Sequence, residues 1–169
     1  EEISKQDDFV QDCTIDTDLE ILIPDSYVEN ITERLSLYSR LDNCESDEEL
    51  AMMEQELTDR FGPLPSQVQE LFITIKCRKL AVGLGFERMI LKNDSLKCYF
   101  INRPDSPYFE SEIFNRILGY LQTGTNKAKL KQVGKMFMIV VEPARDMQDV
   151  HLFLNRMHGQ VTQKQTAAV

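Results

Sequence analysis

Apolar residues recur at three- and four-residue steps through the first half of the chain, and the spacing shortens to two-residue alternation after Gly85. The first pattern is one face of an amphipathic helix; the second is a strand with one side buried. A loose alternation, DLEILI at residues 18–23, predicts a short strand that Pro24 ends. Ser26 with Glu29 reads as a capping box and predicts a first helix, with Tyr27, Ile31, Leu35, Tyr38 and Leu41 on one face and an end near Asp42. A second box, Ser46 with Glu49, starts a helix whose buried stripe is Leu50, Met53, Leu57 and Phe61. Gly62 supplies its left-handed stop, and Pro63 and Pro65 set up the next start. The third helix is expected from about Ser66 to Leu84. It is apolar on two sides (Val68, Phe72 and Ile75; Ile73, Cys77, Leu80 and Leu84), as suits a helix in the middle of a domain.

Beyond Gly85, FERMILK and LKCYFIN flank Asn93-Asp94-Ser95 and predict a hairpin. SPYFESEIFNRILGYLQTG returns to helical spacing through Ile113, Phe114, Ile117, Leu118 and Leu121. AKLKQV and KMFMIVVE predict a second hairpin around Val133-Gly134-Lys135, and a last helix from about Asp146 to Met157 carries Met147, Val150, Leu154 and Met157. The order implies an α+β fold: about three N-terminal helices packed with a small, mostly antiparallel sheet of two hairpins, plus two further helices. With 169 residues the chain is long enough for one domain with a real core. Residues 1–14 are expected as a flexible lead-in, residues 15–160 as a single α+β domain, and residues 161–169, which have no periodicity, as a mobile tail. The charged start EEISKQDDF reads as the cut end of something longer.

Charge divides the chain sharply. Residues 1–60 carry 19 acidic and 4 basic side chains, a balance of −15, within a net charge of −9. The first third should therefore attract a basic partner and repel nucleic acid. Cys13, Cys44, Cys77 and Cys98 stand far apart without a CxxC pair, which argues for reduced thiols rather than a disulfide framework or zinc site. His151 and His158 lack companion ligands. No apolar run approaches the ~20 residues of a membrane span, and no signal peptide opens the chain, so a cytoplasmic location is expected. There is no phosphate loop, GxSxG or HExxH pattern, and Gly83-Leu84-Gly85 ends a helix where a dinucleotide fingerprint would follow a strand. No catalytic residue, cofactor or metal is expected, and the fragment reads as no enzyme by itself.

Two surfaces remain as candidates. Projected at about 100° per residue, the second helix collects Glu49, Met52, Glu56 and Asp59 away from its core stripe, with Arg60 beside them and no cation at i±4 to neutralise both Glu56 and Asp59. This is either a solvated helix side or a contact surface, and the methionine within it suits a contact. Lys127, Lys129, Lys131 and Lys135 form the second candidate. Three of them alternate on one strand face, either to meet phosphates or to protect a sheet edge from aggregation. Without interleaved aromatics or arginines, protection is the reading that composition favours, with DNA not expected to bind.

Three phrases in order, IPDSYV, RLSLYSRL at residues 34–41 and ELTDRFGPLP at residues 56–65, resemble the C-terminal regulatory (TRCF) domain of bacterial transcription-repair coupling factors. The resemblance is strongest over about residues 15–103 and looser through the second hairpin and last helix. It implies a C-terminal piece of a cytoplasmic bacterial ATP-dependent DNA translocase that displaces stalled RNA polymerase and recruits UvrA for nucleotide excision repair. In that family this domain docks on an N-terminal UvrB-like module, masks the UvrA-binding surface and restrains the motor. By motif match Glu56 and Asp59 are the acidic pair that faces basic side chains of the module. With the residues that the helix projection collects, the expected protein-interaction site is Glu49, Met52, Glu56, Asp59 and Arg60, of which the resemblance supplies Glu56 and Asp59; an accessory nucleic-acid site on the lysine strand is the alternative.

The chain should bind no ATP, because it offers no residues to hold phosphates and Mg²⁺. An equilibrium-binding experiment with labelled nucleotide should give no saturable isotherm; stoichiometric binding would overturn the reading.

Overall fold

The computed structural model describes residues 9–124 and 127–163. They form β1 (Thr14–Thr17), α1 (Ile31–Asp42), α2 (Asp47–Phe61), α3 (Ser66–Leu84), β2 (Phe86–Lys92), β3 (Ser95–Phe100), a 3-10 turn (Pro107–Glu110), α4 (Glu112–Leu121), β4 (Ala128–Val133), β5 (Met136–Val141) and α5 (Met147–Thr162). The fold is α+β, as the periodicity predicts. The chain divides into two compact units, residues 19–76 and residues 1–18 with 77–169.

In the first unit, α1 starts later than Ser26 suggests. Tyr27 and Val28 donate their amides to the Pro24 carbonyl in a turn, and Asn30 caps the helix by accepting from the Glu33 amide at 3.0 Å. The buried face moves with the start: Leu37 and Leu41 are buried, whereas Ile31 and Leu35 are exposed. The α2 start follows the sequence: Ser46 Oγ accepts from the Glu49 amide at 3.2 Å, and Gly62 closes the helix at φ 93°. Leu50, Met53 and Leu57 join Val68, Phe72 and Ile75 of α3 in the core, with Phe61 packed half-buried against it. Tyr27 Oη donates to the Gly62 and Leu57 carbonyls at 2.8 and 3.1 Å, tying the preceding loop to the α2 terminus.

The second unit is built on a five-stranded sheet in the order β1-β2-β3-β5-β4. The β1–β2 pair is parallel and the other pairs are antiparallel. DLEILI is not a strand. Its expected place is taken by Thr14–Thr17, which starts at the last residue of the stretch read as a lead-in, because β2 has an edge free there and pairs Thr14 to Arg88 and Thr17 to Leu91. Val10 and Cys13, in the same stretch, are buried. The β2–β3 hairpin turns on Asn93 and Asp94, both at positive φ, as a right-twisted two-residue turn requires. The expected fourth helix is interrupted at Ser111, whose side chain caps α4 by accepting from the Phe114 amide. The last helix runs through Val161, which is buried, so the position where the tail was placed belongs to α5. Residues 1–8 of the lead-in and 164–169 of the tail lie outside the described residues.

Two glycines at the end of α3 have opposite surroundings. A Cβ on Gly83 would meet His158 Nε2 at an ordinary 3.5 Å. At Gly85, φ is 90° and a Cβ would lie 2.2 Å from the Tyr108 ring. Gly83→Ala should therefore raise stability by up to ~1 kcal/mol, the usual helix gain over glycine. Gly85→Ala should lower it by at least ~2 kcal/mol, combining backbone strain with the displaced ring. Urea unfolding of both variants checks the contrast; equal effects would place the helix end wrongly.

Candidate acidic interface

Residues of α2 reach the surface in the order set by its cap. Met52 is 73% exposed, and with Ala51, Gln55, Glu56, Asp59 and Arg60 it lines a shallow depression of about 530 Å³. The structure brings Met52, Glu56, Asp59 and Arg60 together and leaves Glu49 out. The Glu49 carboxylate accepts from the Glu45 amide at 2.6 Å, completing a cap rather than an interaction face.

Glu56 is not the unneutralised charge that the α2 pattern suggests. Arg40 of α1 grips it bidentately, with Nη1 and Nη2 donating at 2.7 and 2.9 Å. Arg60, one turn along α2, lies 3.4 Å from the same carboxylate and donates to Glu33 of α1 at 2.6 Å. Its guanidinium also sits 4.8 Å from the Phe61 ring centre. The hydrogen bonds from Arg40, then the charges of Arg40 and Arg60, hold the Glu56 carboxyl below the usual range. Pairing Glu33 with Arg60 and Arg40 with Glu56 requires α1 and α2 to run antiparallel. Arg40 and Glu33 were missed because they are remote in sequence; the short connection between two helices was the available signal. Asp59 is exposed and has no partner among the described residues, so of the pair it is the carboxylate left uncompensated.

Comparisons with known proteins bear on this surface. The sequence profile of the TRCF domain matches residues 17–111, more than half of the chain and all of α1 and α2. The chain belongs to the TRCF domain family. It is 30% identical over 139 residues to the transcription-repair-coupling factor of Rickettsia bellii (strain RML369-C), covering 82% of this chain and 12% of that protein. To the transcription-repair-coupling factor of Escherichia coli (strain K12) it is 31% identical over 88 residues, covering 52% of this chain and 8% of that protein. The chain thus spans no more than 12% of the length of these relatives. A crystal structure of the C-terminal domain of a transcription-repair coupling factor matches with a TM-score of 0.73 at 15% identity, over 89% of this chain and 93% of that one. At that identity the match speaks for the fold.

Elsewhere in this TRCF domain the lysines fall on β4, an edge strand of the sheet. Lys129 and Lys131 are exposed opposite Val140 and Met138 of β5, whereas Lys127 precedes the strand and Lys135 lies in the turn. Solvated cations on an unpaired edge discourage pairing with another chain. Burial, aided by the Asp12 charge, pushes Cys13 up to about 12, and burial raises Cys98 well above its usual value, so these two thiols stay protonated at neutral pH. No helix among the described residues is long and apolar enough to cross a membrane. Among them, no cluster of three or more His, Cys, Asp or Glu side chains is arranged to hold a metal ion.

Because the folded structure favours ionised Glu56, its contribution to stability is present above the ordinary glutamate range of ~4.3 and is lost as pH falls through the lowered folded value. Glu56→Gln should cost ~0.2–1 kcal/mol at pH 7, the range of an exposed pair, and less in high salt. Chemical denaturation at pH 7 and pH 3 should show a smaller difference at the second than at the first. A cost undiminished at pH 3 would trace to packing instead.

Proposed function

We propose that this TRCF domain is the autoinhibitory interaction domain of a transcription-repair coupling factor. It docks through the outer face of α2 on the UvrB-like module, masks the UvrA-binding surface, and restrains the ATP-dependent translocase that removes stalled RNA polymerase during nucleotide excision repair. The supporting observation is Met52, 73% exposed beside an unpaired Asp59 and a fixed array of Arg40, Glu56, Arg60 and Glu33. A methionine held in this way is an apolar anchor with nothing of its own unit covering it, and burying such a side chain is worth ~1.5–3 kcal/mol.

The array also changes the division of labour within the acidic pair. Arg40 and Arg60 already satisfy Glu56 and fix its direction, so a partner meets a preformed polar rim and loses little side-chain freedom in binding. Asp59 supplies the uncompensated charge that selects a basic partner. A resting coupling factor would use both: the rim sets the register, and the anchor with its single free carboxylate supplies affinity.

The test mixes this chain with the separately purified UvrB-like module and follows binding by calorimetry. Met52→Glu combined with Asp59→Lys should weaken binding by at least ~1.4 kcal/mol, a factor of ten. Melting should hardly shift, because changes at exposed sites usually stay within ~0.5 kcal/mol. UvrA should compete with the unaltered chain for the module. A correctly folded variant that binds as tightly as the original would return the face to solvent.

A further inference from the structure

The outer side of α5 carries a second stripe that the buried one conceals in the sequence. Met147, Val150, Leu154, Met157 and Val161 are buried. Asp149, Leu152, Phe153, Arg156 and Gln160, at steps of three and four, instead line an open depression of about 790 Å³ together with Tyr120 of α4, Lys127 and Arg145. All of these residues belong to the unit built on the sheet. Leu152 is 49% exposed, and Phe153 and Tyr120 are half-buried beside it.

The charges around this depression are mostly positive, three cations against the single carboxylate of Asp149. Lys127, Arg145 and Arg156 are exposed and make no ion pair among the described residues. The carboxylate in the wall, Asp149, accepts from the Arg145 amide at 2.9 Å while its own amide donates to Asp146 at 2.9 Å. It therefore serves the start of α5 and fixes the backbone of Arg145 in place. At the other end, Arg116 of α4 donates to the Val161 carbonyl at 2.8 Å, so the two helices that wall the depression are cross-tied. Three unpaired cations around an aliphatic and aromatic floor outweigh the one carboxylate, whose place is fixed by the start of α5, and leave a preorganised site of net positive charge.

We propose that this depression docks a short acidic peptide segment with an apolar anchor, contributed by a partner protein. Charge complementarity names the occupant: the cations call for carboxylates, and Leu152 with Phe153 calls for a leucine or phenylalanine between them. Nucleic acid fits less well. Phosphates would satisfy the cations, but an aliphatic Leu152 offers no stacking plane, and the cations converge on one hollow where a strand would need a track. Lys129 and Lys131, which could have extended such a track, do not line it. The inference concerns a different surface from the α2 face and stands or falls apart from it.

The experiment titrates the isotopically labelled chain with three probes: a synthetic twelve-residue peptide alternating Asp and Glu with Leu and Phe, the same peptide with Lys in place of the acids, and a twelve-nucleotide oligothymidylate. The acidic peptide should bind saturably, with amide shifts centred on Lys127, Arg145, Leu152 and Arg156. Arg145→Glu with Arg156→Glu should weaken it by at least about tenfold, and so should raised salt. Arg156→Gln, a milder change, should weaken it several-fold and keeps the test available if the double variant folds poorly. Leu152→Ser should also weaken it, with melting unchanged. Absence of saturable binding, equal binding of the lysine peptide, tighter binding of the oligonucleotide, or shifts that appear with chain concentration alone would each overturn the proposal.

Discussion

The chain can turn from helix to sheet at Gly85 only because no side chain stands there, and the space is taken by the ring of Tyr108. Its hydroxyl donates to the Leu84 carbonyl at 2.6 Å, satisfying an acceptor that the end of α3 would otherwise leave open. Burial pushes the phenol far above its usual ionisation, so the donor is retained at neutral pH. Around this ring lie Phe9, Phe100, Phe109 and Phe114, with centroids 5.4 to 5.9 Å away in edge-on or tilted geometry. One tyrosine thereby sets where β2 begins and where α4 packs. Through Arg116 and the α4–α5 packing, the walls of the cationic depression depend on it as well.

The unit of residues 19–76 uses charge differently. Its stability comes from the apolar cluster of Leu37, Leu41, Leu50, Leu57, Val68 and Phe72. The Arg40–Glu56–Arg60–Glu33 array is exposed and contributes little energy by comparison. What it does is specify. An antiparallel α1–α2 pair displaced by one turn would separate both ion pairs, so the array selects one register among packings of similar apolar burial. Two groups of this array, Glu56 and Arg60, also line the depression beside Met52. Structural register and candidate interface share these two side chains.

The two candidate surfaces share a design with opposite signs. Each places an exposed apolar residue, Met52 or Leu152, among charges of one uncompensated kind. Asp59 is the free group on the first; Lys127, Arg145 and Arg156 are the free groups on the second. The polarity follows the division of charge along the chain, acidic before residue 60 and basic after it. Apolar contact supplies affinity with little selectivity, and the free charges supply the selectivity.

Residues 46–92 were legible in the sequence because their signals are local. A serine cap three residues before a glutamate, a glycine at positive φ and a proline at a helix start act within one turn, whatever the rest of the chain does. The α+β order followed from the change of apolar period at Gly85 for the same reason. Tertiary structure decided the features that need a distant partner. Thr14–Thr17 is a strand because β2 offers a free edge, and DLEILI, with the better local pattern, has none. Asn30 replaces Ser26 as the cap because the loop before it is held by Tyr27 to the far end of α2. Glu56 looked bare because Arg40 is sixteen residues away, and the cationic depression was not legible because Arg145, Arg156, Tyr120 and Phe153 join Lys127 only once α4 and α5 pack together. Periodicity records which face of an element is buried; which charges meet across two elements depends on distances that no local spacing encodes.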